Sequence, residues 1–174
     1  MLLAVDPAIT CTGWAFFVGE RLDRCGIIET KANMPFDRRI RSIGQGILQA
    51  TPGVPLMLVI EWPQIYHKWS KGDNNDLLPL AAIAGNLMSH FPWAKTQLPK
   101  PAQWKGQVPK DVHNARVLKR LSVDETRLVA AARVAKSKAH NMIDAIGLGL
   151  WALGRMTKTG AANEDVEQGS LDAC

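Results

Sequence analysis

The chain has 174 residues, 47% of them hydrophobic and 21% charged, with a formal net charge of +5. That length suits one domain with a full core, and neither a secretory leader nor an apolar stretch of bilayer-spanning length is visible, so no membrane association is expected. Three scattered cysteines, Cys11, Cys25 and Cys174, form neither a disulfide frame nor a zinc knuckle, and a reducing, cytoplasmic compartment is the expectation.

In chain order, the apolar run Leu2 to Val5 reads as a buried strand. Gly13 to Val18 and Arg21 to Ile28 read as two more, joined by a tight turn at Gly19 and Glu20. Three strands in close succession predict an antiparallel meander. Phe36 to Ala50 has Ile40, Ile43, Ile47 and Leu48 at helical spacing and Arg38, Arg39 and Arg41 on its outer face. Leu56 to Ile60 is a second wholly apolar strand. Trp62 to Asp76 reads as a long loop rich in aromatic and basic residues. Asp76 is placed to cap a helix to about His90, with Leu80, Ile83, Ala84 and Leu87 inward. Ala94 to Leu98 is a short strand candidate, and Pro99 to Lys110 a proline-punctuated connection. Asp111 is expected to cap a helix to about Leu121. Ser122 and Glu125 have capping-box spacing for the next, to about Val134. A last helix is expected from about Ser137 to Met156, then a polar tail, 157–174, expected to be disordered. This order predicts an α/β layer architecture with a mixed sheet.

The charge is uneven. From Lys95 to Lys138 eleven Lys or Arg residues face three acids, a local excess of eight positive charges, whereas the last eighteen residues are net −3. A basic body behind an acidic tail suits a polyanionic partner, most simply nucleic acid. A solvated basic face without a partner fits the charge equally.

Two apolar strands run straight into an acid: Asp6 after Leu2 to Val5, and Glu61 after Leu56 to Ile60. A buried carboxylate costs several kcal/mol unless paired, protonated or bound to metal. If the two strands are neighbours, Asp6 and Glu61 share one edge of the sheet. On the last helix His140, Asn141 and Asp144 fall on one face, above Gly147 and Gly149, which are small enough to let that helix lie against a sheet. Taken singly, each acid has an ordinary structural explanation as a turn or capping residue. Together they suit divalent cations, with oxygen-rich ligands favouring Mg²⁺ or Mn²⁺. Two such ions roughly 3.5–4 Å apart are the usual apparatus for attack of water on a phosphodiester.

With these residues in view, the chain resembles the RuvC-type Holliday-junction resolvases of the RNase H-like (retroviral integrase) superfamily. "AVDPAITCTGWAFF" is similar to that family's first strand and turn, with Ala8 where Gly is usual. "LVIEWPQIY" is similar to its strand-ending Glu and aromatic loop, and "HNMIDAIGLGLW" to its ligand-bearing C-terminal helix. "PAQWKGQVPK" resembles the Trp-Lys-Gly segment of phage-type relatives. The likeness covers about 2–156. It implies a nuclease domain over 1–156 with a mixed five-stranded sheet, a three-strand antiparallel meander plus two parallel strands, flanked by helices.

The resemblance also implies metal ligation by Asp6, Glu61 and Asp144. The fourth ligand position falls on Asn141, with His140 as the alternative. Lys105 is implied beside the scissile phosphate, and Lys110 is either a second such residue or a surface lysine. In the loop, Tyr66 and Trp69 are candidate wedges between unstacked bases, with Lys68 and Lys71 on the DNA; Trp62 is a wedge or a core lid. The implied activity is paired, Mg²⁺-dependent nicking of a four-way junction by a homodimer, leaving 5′-phosphate and 3′-hydroxyl ends, with Mn²⁺ able to substitute. The helix face of Ala81, Ala84 and Gly85 is either dimer interface or core. Three alternatives stand beside this: a less selective nuclease on forks, flaps or hybrids, a non-catalytic junction-binding protein, and an actin-like nucleotide-binding protein, since "DPAITCTG" faintly resembles a phosphate loop.

Overall fold

The computed structural model describes residues 1–64 and 77–156. Five strands form one sheet: β1 (Leu2–Asp6), β2 (Cys11–Val18), β3 (Arg21–Glu29), β4 (Met57–Ile60) and β5 (Lys95–Gln97), in the order β3-β2-β1-β4-β5. The first three are the antiparallel meander expected from their spacing, while β4 and β5 add parallel to β1. The mixed sheet read from the sequence is present.

Alternation along the strands sorts the core into two layers. Leu2, Ala4, Ala15, Phe17 and Val59 face one way and pack on α6 (Ala139–Ala152), with Trp104 of α3 (Pro101–Trp104) and Val117 of α4 (Lys110–Leu118). Leu3, Val5, Phe16, Leu58 and Ile60 face the other way, onto α1 (Phe36–Ala50) and α2 (Leu77–His90). The same period of two decides where the acids go. Asp6 continues the face of Leu2 and Ala4, and Glu61 that of Val59, so both fall on the side of α6.

Close approach of α6 needs glycine. A Cβ on Gly149 would stand 2.2 Å from the Phe17 ring of β2, and one on Gly13 would stand 1.9 Å from the Asn141 carbonyl oxygen. Gly147 differs from expectation: a Cβ there would meet Val117, Trp104 and His113, so it admits α3 and α4 rather than the sheet. Lys138 pairs with Glu29 and ties the start of α6 to β3. At the other end Gly154, with φ +71°, closes a Schellman turn in which Arg155 N–H donates to the Leu150 carbonyl, stopping the helix short of Met156.

Other boundaries shift for local reasons. β1 includes Asp6, which is paired with Gly13. β2 begins at Cys11 because its first residues pair with the end of β3. The connection after Pro99 contains the short α3, with Pro101 at its first position, where the missing N–H costs nothing. Asp111 does not cap α4; Pro109 precedes the helix and Asp111 lies in its first turn. The capping box of Ser122 and Glu125 is formed, at the start of α5 (Val123–Ala131). On α2, Ala84 lies in the core beside Ile83 and Leu87, while Gly85 is exposed. Trp62 packs against the α1–α2 layer. Asp76 and 157–174 lie outside the described residues. Among the described residues no helix is long and apolar enough to cross a membrane.

Candidate active site

β1 and β4 run in register, Val5 beside Ile60, and the Glu61 N–H donates to the Val5 carbonyl at 3.0 Å. Asp6 and Glu61 therefore leave neighbouring parallel strands at the same edge. α6 crosses over that edge and contributes Asp144, 8% exposed, from its second turn. The three carboxylates bear on one another. Burial, then the charges of Glu61 and Asp144, push Asp6 well above the usual carboxylate range, against the pull of Lys105 and Lys110. Burial also raises Glu61, offset in part by the charge and hydrogen bond of Lys105 and by a hydrogen bond from Trp104.

Lys105 is the cation at the centre. Its Nζ stands 3.1 Å from Glu61 Oε2 and 3.5 Å from Asp144 Oδ2, and 4.8 Å from the Trp104 ring centroid. Burial works against its charge, but Glu61, Asp144 and Asp6 outweigh that and hold the ammonium above its ordinary value. Trp104 Nε1 donates to Glu61 Oε2 at 2.9 Å. The short α3 thus serves the site twice, through Trp104 and through the lysine at its C-cap.

Among the described residues, no three acidic, histidine or cysteine side chains close on a common point as a ready cage for an ion. The donor set nevertheless fits a hard divalent cation. It is three carboxylates, two of them, Asp6 and Glu61, with a raised affinity for protons, with a positive charge already set between two of the three and Asp144 Oδ1 buried without a hydrogen-bond partner among the described residues.

Of the other residues singled out from the sequence, Asn141 and His140 lie half-buried in the first turn of α6, and neither side chain hydrogen-bonds to the three acids. The Asn141 carbonyl instead lies over Gly13. Lys110, exposed at the start of α4, is near enough to lower Asp6. Tyr66, Lys68, Trp69 and Lys71 lie outside the described residues.

Two site residues escaped the sequence reading. Trp104 stood inside the noted "QWKG" segment, but nothing in it announced that the indole would hold Glu61. His113 is 3% exposed on the inner face of α4, one turn before Val117, and its Nε2 lies 3.5 Å from Asp144 Oδ1. Burial lowers its proton affinity against the pull of Asp144, and the charges of Lys105 and Arg116 lower it further. Its signal was a histidine on the apolar stripe of a basic helix. Beside Lys105 opens a cleft of about 670 Å³, lined by Trp104, His113, Arg116, Lys119 and Trp151 among others. Cationic and aromatic walls of this kind suit phosphates and bases.

No protein-family model and no curated protein matches the chain. Solved structures do. Thermus thermophilus RuvC superposes with a TM-score of 0.60 at 16% identity, covering 91% of this chain and 96% of the other. RuvC of the same organism in complex with a Holliday junction substrate gives 0.58 over the same shares. The Fowlpox virus resolvase in complex with Holliday junction DNA gives 0.56 at 13% identity, covering 90% and 99%. At such identities the likeness speaks for the fold, and it spans nearly the full length of both partners. The chain has the RNase H-like fold in the form taken by RuvC and the poxvirus resolvase.

Proposed function

We propose that this protein is a metal-dependent endonuclease that resolves four-way DNA junctions. The observation that carries the reading is the convergence of Asp6, Glu61 and Asp144 around the Lys105 ammonium, at the C-terminal ends of two parallel strands. Support comes from the fold shared with two junction resolvases and from the basic cleft beside the acids.

Asp6, Glu61 and Asp144 would hold Mg²⁺ or Mn²⁺, with Asn141 or His140 completing the set. Bound there, the metal supplies charge neutralisation and activation of water for in-line attack on the phosphodiester, leaving a 5′-phosphate and a 3′-hydroxyl. Trp104 fixes the rotamer of Glu61 through its indole N–H. Lys105 balances the acids and, released from them, reaches the scissile phosphate, where its charge opposes the negative charge that develops on the oxygens. Lys110, Arg116 and Lys119 would draw the phosphate backbone along the cleft. A two-fold junction calls for two such sites, hence a homodimer. The loop residues Tyr66, Lys68, Trp69 and Lys71 would engage the junction centre.

One observation favours a second reading. Lys105 already pairs with Glu61 and Asp144, so the acids are partly neutralised without metal, which would suit a protein that binds junctions without cutting them. Incubating the protein with synthetic four-way, three-way and linear duplexes, with Mg²⁺, Mn²⁺ or EDTA, separates the two. Symmetric paired nicks that need metal and a four-way substrate support resolution. Tight four-way binding with no nicks under any metal supports the binding module, and equal cutting of all branched substrates supports a less selective nuclease.

A further inference from the structure

Among the described residues, four buried side-chain polar atoms have no hydrogen-bond partner, and two of them face each other. These are Asp144 Oδ1 and His113 Nε2, 3.5 Å apart. An unmet buried polar group is destabilising, so a mutual pair of them in the middle of a candidate active site calls for a reason.

The two oxygens of Asp144 look in different directions. Oδ2 faces Lys105 and, through it, Glu61; Oδ1 faces the His113 ring. The ring itself is held on several sides. It is buried on α4 and stands edge-on to Trp104, with centroids 5.0 Å apart and planes at 77°. It leans over Gly147, one turn beyond Asp144, where a Cβ would come within 3.2 Å of Nε2. A side chain there would press on Val117 at 2.7 Å and Trp104 at 3.1 Å as well as on the imidazole, so the bare backbone of α6 leaves room for all three.

We propose that His113 is a positioning residue for Asp144: its Nε2–H donates to Oδ1 and so keeps Oδ2 turned toward the cation side of the cluster. A neutral imidazole carries a single N–H and can serve as donor at one nitrogen only, which makes the tautomer part of the device. Partners of this kind fix the orientation of a metal-binding carboxylate and are worth about 10–100-fold in metal affinity. Direct coordination by Nε2 fits less well. Both atoms are shut off from solvent, whereas Mg²⁺ keeps several of its waters. The inference rests on the metal-dependent reading above for its consequence, but the hydrogen bond itself can be tested without it.

The test uses the full chain with ¹⁵N-labelled imidazoles, followed by NMR in EDTA and then with Mg²⁺ alone, and metal titration without DNA. The expected result is an Nε2 that carries its proton in both conditions, with that proton shifting as Mg²⁺ is added. H113Q, whose amide N–H can take the place of Nε2–H, should bind Mg²⁺ within a few-fold of wild type, and H113L about 10–100-fold more weakly. An unprotonated Nε2 that moves with Mg²⁺ would overturn the proposal in favour of direct ligation. H113L binding as tightly as H113Q would reduce His113 to packing. Should H113L not fold, the wild-type spectrum and H113Q still decide. A wild type that binds no Mg²⁺ overturns the metal-dependent reading, while the EDTA spectrum judges the His113–Asp144 bond separately.

Discussion

Buried acids on the same side of this sheet meet opposite fates. Glu125, at the start of α5, is 2% exposed and has every lone pair spoken for. Its Oε1 accepts from Leu22 N–H at 2.8 Å and from Arg155 Nη1 at 2.7 Å; its Oε2 accepts from Ser122 N–H at 2.8 Å and from Arg155 Nη2 at 2.9 Å. Those bonds, led by the bidentate arginine, hold its carboxyl down to about 2. Asp6 and Asp144 sit near other acids, Asp6 pushed up by burial and by its neighbours' charge, Asp144 with one buried oxygen that faces His113 Nε2 at 3.5 Å. A fold that can satisfy one buried carboxylate so fully has no need to leave three others in conflict. Conflict of that kind is what the proposed metal site would relieve, and the satisfied acid marks a joint of the scaffold.

The largest expected effect breaks the comparison on the side of chemistry. Asp6→Asn should lower junction cleavage by on the order of 10³-fold or more, since a metal site supplies several kcal/mol of transition-state stabilisation. Binding of the junction should persist in a gel-shift assay. The same variant should melt a few degrees higher than wild type in EDTA, because it removes one of three crowded negative charges. Wild type should gain thermal stability from added Mg²⁺, and Asp6→Asn should not. A variant that melts lower in EDTA would mean that Asp6 is a structural acid like Glu125.

The next effect breaks the comparison from the other end. Arg155 donates to both Glu125 oxygens and to the carbonyls of Glu20 and Arg120, and so ties α6 to α5, to the turn after α4 and to the β2–β3 hairpin. Arg155→Leu leaves Glu125 buried and unpaired, at a cost of about 3–5 kcal/mol in urea unfolding. Cleavage per folded molecule should be unchanged. The pH dependence follows from the depressed value at Glu125: its stabilisation is fully present above the unfolded value near 4.5 and is lost as pH falls toward 2. Melting of wild type and Glu125→Gln should thus converge as pH drops through that window. Parallel curves would sink the assignment.

How far the sequence reaches is uneven for physical reasons. Periodicity is local, so the meander, the two apolar strands and their terminal acids could be read from residue types alone. The shared face of Asp6, Glu61 and Asp144 then followed from neighbouring strands and helical spacing. Glu125 shows the limit: its spacing from Ser122 announced a capping box, but its arginine lies thirty residues on and leaves no local trace. His113 and Trp104 were illegible for the same cause. Their contacts with the acids come from α3 and α4 settling against α6 over Gly147, and no pattern along the chain encodes that meeting. Lys105 was read from likeness to a known segment rather than from its surroundings, and its central place between two acids is a tertiary fact.

The smallest effect sharpens the contrast inside the site itself. Glu61 accepts the Trp104 indole N–H at 2.9 Å beside the Lys105 ammonium, and in that respect it stands between the fully bonded Glu125 and Asp6. Trp104→Phe keeps a ring beneath the Lys105 ammonium and against His113 while deleting the N–H. Loss of a hydrogen bond to a charged group amounts to about 1.5–3 kcal/mol, and Lys105 still holds the same oxygen, so a tenfold loss of cleavage is the scale to expect. The packing change alone would lower the melting temperature and slow cleavage at every metal concentration alike. A Glu61 freed to turn away would instead raise the Mg²⁺ concentration needed for half-maximal cleavage and leave the saturated rate nearer to wild type. A changed saturated rate with unchanged metal demand would assign Trp104 to the core and not to the carboxylates.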